Sequence, residues 1–232
     1  MQLIEHPSPN FNQRRGVTQP DMVILHYTAM ETAEAACERL CDPCHEVSAH
    51  YLISEAGEVI RMVGERDRAW HAGRSAWGAV RDVNSHSIGI ELANHATDAC
   101  LPPFPDPQMR ALEGLLADIV ARWSIRPERV LGHSDIAPDR KADPGPMFDW
   151  KRLAEAGLAV WPGDAEPGAF FQDLSTIGYR AQGDENPEDE LLSAFRLRFR
   201  PDAAGPLDDT DRAMAAALAR DYPCIDPDTV AP

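Results

Sequence analysis

Lysine is almost missing from this 232-residue chain: Lys141 and Lys151 are the only two among 22 basic side chains, and 38 acidic ones bring the net charge to −16. The basic residues form no stripe of the kind that binds a phosphate backbone, which argues against a nucleic-acid partner. No apolar run approaches the roughly 18 residues of a membrane span. Met1 to Pro7 has neither the charged nor the apolar region of an export leader. The cysteines number five (Cys37, Cys41, Cys44, Cys100 and Cys224), and an odd set does not make a closed disulfide framework. These absences lead to the expectation of a cytoplasmic protein, with the periplasm as the alternative and a monomer as the simplest state.

The chain does have 44% hydrophobic residues, enough for a core, and a length that suits one domain with a smaller second one. Met22 to Tyr27 (MVILHY) reads as a buried strand carrying a histidine near its end. Thr32 to Cys41 reads as a helix capped by Thr32. Ala49 to Ile53 and Val59 to Val63 read as strands joined through a turn at Glu55 to Glu58. Ala69 to Val83, rich in Gly, Trp, Arg and His without periodicity, reads as a loop that lines a site. Ser87 to Ala93 is a strand with Glu91 in its middle, and Pro107 to Trp123 is the clearest amphipathic helix. Val130 to Gly132 is a short strand ending at His133, and a helix over Trp150 to Gly157 follows.

This order predicts an α/β fold with a mixed central sheet flanked by helices over residues 1–162, a linker at 163–168, and a small domain of three helices over 169–232. The helices are expected near Ala169 to Ile177, Pro187 to Phe199 and Asp208 to Arg220. A unit of this size leans on its neighbour. The acidity is uneven, with −9 in residues 161–232 against −7 in residues 1–160.

His26 and His133 at strand ends and Asp143 in a loop are a donor set suited to Zn2+, which takes His and Asp ligands and leaves a position open for water. Taken alone, a histidine in an apolar strand is more often a satisfied core or boundary residue than a ligand. Glu91 in an apolar strand is either a solvated face or a buried carboxylate that exchanges a proton with water. Cys37, Cys41, Cys44 and His45 do not make a second metal set. Cys37 and Cys41 fall at helical spacing, and no second pair completes them.

The runs Val23 to Ala29, Ser87 to Leu92 and above all Gly132-His-Ser-Asp-Ile-Ala-Pro-Asp-Arg-Lys-Ala-Asp-Pro-Gly145 resemble the zinc-dependent N-acetylmuramoyl-L-alanine amidases of the recycling and lipoprotein type, whose fold is shared with peptidoglycan recognition proteins. The likeness spans about residues 5 to 160. It implies one Zn2+ per chain held by His26, His133 and Asp143, with Glu91 as the base that activates water and Lys141 as the cation at the oxyanion. The implied substrates are muropeptides or peptidoglycan.

The resemblance also places His71, with Trp70, and His50 among the pocket residues. Trp77, Arg74 and Asn84 are loop candidates for sugar stacking and for peptide carboxylates, and Asn94 for shaping the cleft. Residues 169–232 resemble a peptidoglycan-binding module through Ala169 to Leu174, Ile177 to Tyr179, Ala194 to Arg196, Phe199 to Pro201 and Gly205 to Asp211. They depart from it where a Phe-Gln pair is replaced by Phe195-Arg196. The competing readings are a wall-acting amidase on intact peptidoglycan and a non-catalytic recognition module. The five residues of the proposed centre together speak against the latter.

Overall fold

The computed structural model describes residues 3–95, 101–183 and 186–225. A six-stranded sheet has the order β1 (Leu3–Glu5), β5 (Val59–Arg61), β4 (Tyr51–Ile53), β7 (Ser87–Leu92), β3 (Met22–Tyr27) and β8 (Val130–Gly132). Only the β4–β5 pair is antiparallel, as the hairpin turn predicts, and the sheet is therefore mixed. A separate antiparallel pair, β2 (Phe11–Gln13) with β6 (Asp67–Ala69), lies where the sequence predicts no strand.

Side-chain alternation along the central strands decides what each face meets. Val23 and Leu25 of β3, with Ile88, Ile90 and Leu92 of β7, point to one face. There the long helix α3 (Asp106–Trp123) buries Met109, Leu112, Leu115, Leu116 and Ile119 against them. Met22 and Ile24 point to the other face and join a cluster with Leu131, Ile136, Trp77, Phe170, Leu174, Phe195 and Leu218. The helices α6 (Phe170–Ile177), α7 (Pro187–Phe199) and α8 (Asp209–Asp221) therefore share one core with the sheet, and Phe170 and Phe195 are fully buried in it. Each such ring contributes about 1.5–3 kcal/mol by leaving water.

On this second face, helix α1 (Ala33–Cys41) lies over β4. It is capped by Thr32, whose Oγ1 accepts from Ala35 N at 3.1 Å, and it packs Ala33, Ala36, Cys37 and Leu40 against Leu52 and Met62. The short helices α2 (Val83–His86), α4 (His133–Ile136) and α5 (Trp150–Glu155) complete the chain. His133 thus opens a helical turn immediately after β8. Among the described residues no helix is long and apolar enough to cross a membrane.

Candidate metal centre

The same alternation that sends Met22 and Ile24 toward the C-terminal helices sends His26 to that face, one step further along β3. On β7 the matching positions are Ser87, Gly89 and Glu91. The parallel register sets His26 beside Glu91 and Ile24 beside Gly89. β3, β7 and β8 all end at this edge. A cleft opens there, outside the carboxyl ends of the parallel strands where such sheets hold their ligands.

His26 Nδ1 lies 3.0 Å from both His133 Nδ1 and Asp143 Oδ2, and His133 Nδ1 lies 3.1 Å from that same oxygen. These three form the group of potential ligands found among the described residues, and all three are buried.

The proton positions follow from the outer partners, assigned through the hydrogen-bond network. His133 Nε2 donates to Ala72 O at 3.1 Å, so its Nδ1 is bare. Ser87 Oγ donates to Val83 O at 2.7 Å and accepts from His71 Nε2 at 3.2 Å. His71 Nδ1 is therefore bare and accepts from His26 Nε2 at 3.0 Å, which leaves His26 Nδ1 bare as well. Two imidazole lone pairs and a carboxylate oxygen face one another at 3.0–3.1 Å with no proton among them. That arrangement is repulsive unless a cation joins it. Its edges are close to the roughly 3.3 Å between ligand atoms around a tetrahedral ion bonded at about 2.0 Å. The outer hydrogen bonds orient the rings, as is usual for metal-binding histidines.

Burial, reinforced by the charge of His133, pushes His26 down to about 4 against the pull of Asp143, so the ring is neutral at neutral pH. Burial alone would raise Asp143, but the two imidazoles beside it, which would donate to it whenever either took up a further proton, outweigh burial and hold it far below the usual carboxylate range. Glu91 is pushed up to about 8 by burial and by Asp143, with Lys141 opposing. Its Oε2 is sealed from solvent and has no hydrogen-bond partner.

The cleft has two lobes of about 430 and 470 Å³ that share Val47, Trp70, His71, His133, Arg140 and Lys141. Glu91, His26 and Asp143 line the first, together with Thr28, Met30 and Arg39. Lys141 is exposed at the junction, where a cation can reach a group bound next to the three donor atoms.

The structure thus gathers His26, His133, Asp143, Glu91, Lys141, Trp70 and His71 around one cleft, and it moves other expected residues out. His50 is fully buried outside it, with Nδ1 accepting from Gly89 N at 2.9 Å and Nε2 donating to Asp67 O at 3.1 Å. Burial holds it neutral, down to about 3. Trp77 is also buried, edge-on to Tyr179 at 4.9 Å, which removes it as a sugar-stacking surface.

Arg74 is engaged by Asp139 and by Gln182 O, outside the cleft walls. Asn94 donates to Pro102 O at 3.0 Å, and its backbone is tied to Thr28, so it shapes the rim only from behind. Asn84 borders the second lobe, but its Oδ1 accepts from His71 N and Ala72 N at 3.0 and 2.8 Å, which positions the His71 loop.

Sequence reasoning missed Arg140, which lines both lobes and donates to Ala72 O at 2.6 Å. It also missed Gly89, where a Cβ would come within 2.4 Å of the His71 ring. Only the absence of a side chain there lets His71 reach His26.

Fold and site together define a mixed α/β protein with three potential metal ligands gathered at the carboxyl edge of its sheet. Comparison with known proteins gives the family. Residues 16–146 match the model of the N-acetylmuramoyl-L-alanine amidases, and the chain belongs to that family. The amidase AmiD of Escherichia coli is 35% identical over 87% of this chain and 83% of its own length. The 1,6-anhydro-N-acetylmuramyl-L-alanine amidase AmpD of Salmonella typhimurium is 34% identical over 63% of this chain and 86% of its own.

Among solved structures, the E. coli AmiD complex with anhydro-N-acetylmuramic acid-L-Ala-D-gamma-Glu-L-Lys superposes with a TM-score of 0.79 at 33% identity, covering 90% of this chain and 93% of that one. AmpDh3 of Pseudomonas aeruginosa, in complex with an anhydromuramic pentapeptide, gives 0.80 at 34% identity over 88% and 93%. The chain is accordingly an N-acetylmuramoyl-L-alanine amidase.

Proposed function

We propose that the chain hydrolyses the amide between the lactyl carbonyl of 1,6-anhydro-N-acetylmuramic acid and L-alanine in free muropeptides, with one Zn2+ held by His26, His133 and Asp143. The observation that carries the metal is the convergence of three bare donor atoms at 3.0–3.1 Å, the two imidazoles among them oriented by outer partners. The substrate reading is supported by the two relatives solved with anhydromuramyl peptides.

Bound Zn2+ supplies Lewis acidity, polarising the carbonyl and lowering the pKa of water toward neutrality. The chain's own groups do the rest. Glu91 takes the proton of the attacking water and delivers it to the alanine nitrogen as the C–N bond breaks. A carboxyl pushed up to about 8 keeps that proton available for delivery, and positive charge brought into the site lowers it enough to accept one. The Lys141 ammonium, at the junction of the two lobes, stabilises the negative charge that develops on the carbonyl oxygen. Trp70 walls both lobes.

Turnover of soluble anhydro-muropeptide compared with that of insoluble sacculi tests the substrate reading. The expected result is faster release of peptide from the soluble substrate. Preference for sacculi would transfer the assignment to intact wall, the reading that the likeness of residues 169–232 to a peptidoglycan-binding module favours.

A further inference from the structure

On the side of His133 away from the cleft, the turn that carries it is gripped from the C-terminal helices. Asp135, in the same helical turn as His133, is wholly buried. Its Oδ2 accepts from Gly132 N at 2.8 Å and from Arg198 Nη1 at 2.6 Å, and its Oδ1 accepts from the Tyr179 hydroxyl. Arg198 belongs to α7, and Tyr179 follows Gly178 at the end of α6.

Arg198 also donates to Val130 O at 3.2 Å and lies over the Trp150 ring at 4.1 Å. Trp150 and Pro144, the residue after Asp143, crowd Gly132 so closely that a Cβ there would sit 3.3 and 2.9 Å from them. Ser134 N, donating to Asp143 O at 2.9 Å, joins the two ligand-bearing segments directly. One guanidinium and one phenol from outside the sheet thus hold the start, the end and the packing of the peptide that aims His133.

We propose that Arg198 and Tyr179 are positioning residues for His133, acting through Asp135, so that the C-terminal helices form part of the hydrolytic site. The proposal rests on the metal reading above. It explains why a buried charge pair stands where an apolar contact would be simpler: the planar guanidinium ties Asp135 through Nη1 and Val130 O through Nη2 to one helix, and two directed bonds specify orientation as packing alone does not.

A control lies two residues away in the same helix. Arg196 makes the same kind of buried pair with Asp211, at 2.5 Å, but faces α8 and the carbonyls of Gly205 and Pro206. It touches nothing at the metal centre.

The test is a zinc titration against a chromogenic chelator on the full-length chain, for wild type, Y179F, R198M, R198K and R196M. It is accompanied by visible spectra of the Co2+-loaded proteins and by kcat and KM. Y179F and R198M are expected to weaken zinc binding by roughly tenfold or more, shift the Co2+ bands, and lower kcat at unchanged KM. R198K should recover part of this, and R196M should lower thermal stability while leaving all three readouts at wild-type values.

Wild-type zinc affinity, Co2+ spectrum and kcat in Y179F would overturn the proposal, as would equal disturbance by R196M. Y179F removes a single oxygen and keeps the test open if R198M does not fold. A wild-type chain that binds no zinc would instead overturn the metal reading on which this one stands.

Discussion

Two sets of buried charge flank His133 and are built in opposite ways. On the cleft side His26, His133 and Asp143 turn bare donor atoms toward one another, and Glu91 keeps an oxygen with no partner. On the far side both oxygens of Asp135 are occupied by Tyr179, Arg198 and a backbone amide. Deeper in the C-terminal helices Asp211 is held by both Arg196 and Arg200. Arg198 Nε has no hydrogen-bond partner there, and neither do Asp173 Oδ2 of α6 and Glu190 Oε2 of α7.

Buried polar groups are normally satisfied, and those that are not call for a reason. At the cleft the proposed function supplies the reason: the unsatisfied atoms are those that would meet metal, water and substrate. Behind it Asp135 and Asp211 are paired, and their work is to hold shape.

The comparison can be broken by removing chosen groups. The largest effect is expected at Glu91. E91Q keeps the volume but cannot shuttle a proton, and turnover of anhydro-muropeptide, followed by chromatography of the released peptide, should fall about 10²- to 10⁴-fold with metal content unchanged. Loss of metal together with activity would instead place Glu91 among the ligands. Next is Lys141: K141M should lower kcat by roughly 10²- to 10³-fold, the cost of losing a group at an oxyanion. K141R then shows whether charge alone suffices or a compact ammonium is required, near-normal turnover meaning charge alone.

A smaller loss sharpens the contrast from within the sheet. G89A drives a methyl into His71 and so disturbs the bond that orients His26. Zinc affinity measured by chelator competition should drop about tenfold, with the fold retained by far-UV circular dichroism.

The smallest expected effect is on stability. Burial holds His50 down at about 3 and His26 at about 4, so between those values and about 6.5 the unfolded chain binds protons that the folded one does not. Stability of the metal-free protein should therefore fall as the pH drops from about 6.5 toward 4. Urea midpoints at pH 7.5, 6 and 5 measure this, and an unchanged midpoint would mean that the buried rings take up protons in place.

Much of this was legible because strands and motifs are local. The run from Val23 to Tyr27 and the run from Ser87 to Leu92 are strands by their apolarity alone, and α3 follows from its periodicity. Asp143 could be singled out because the loop holding it is a long, specific motif.

What sequence could not give depends on partners far along the chain. Trp77 reads as a loop aromatic free to stack on sugar, yet the backbone of Gly178, at φ +128°, closes over its indole from α6. His50 is a satisfied core histidine because its ring accepts a backbone amide of β7, a fact of strand register. Arg196, where a Phe-Gln pair is expected in a peptidoglycan-binding module, turns inward to Asp211, and no local signal marks it. The short strands β2 and β6 are half exposed and carry Asn, Gln, Asp and Arg, so neither alternation nor apolarity reveals them.

The central claim is that catalysis depends on a metal at the three bare donor atoms. The direct test is turnover of anhydro-muropeptide by chelator-stripped protein as Zn2+ is added back. Activity should rise from near zero and level off at one equivalent per chain in the wild type, with no recovery in H133A. Full turnover by the stripped wild-type protein would contradict the account.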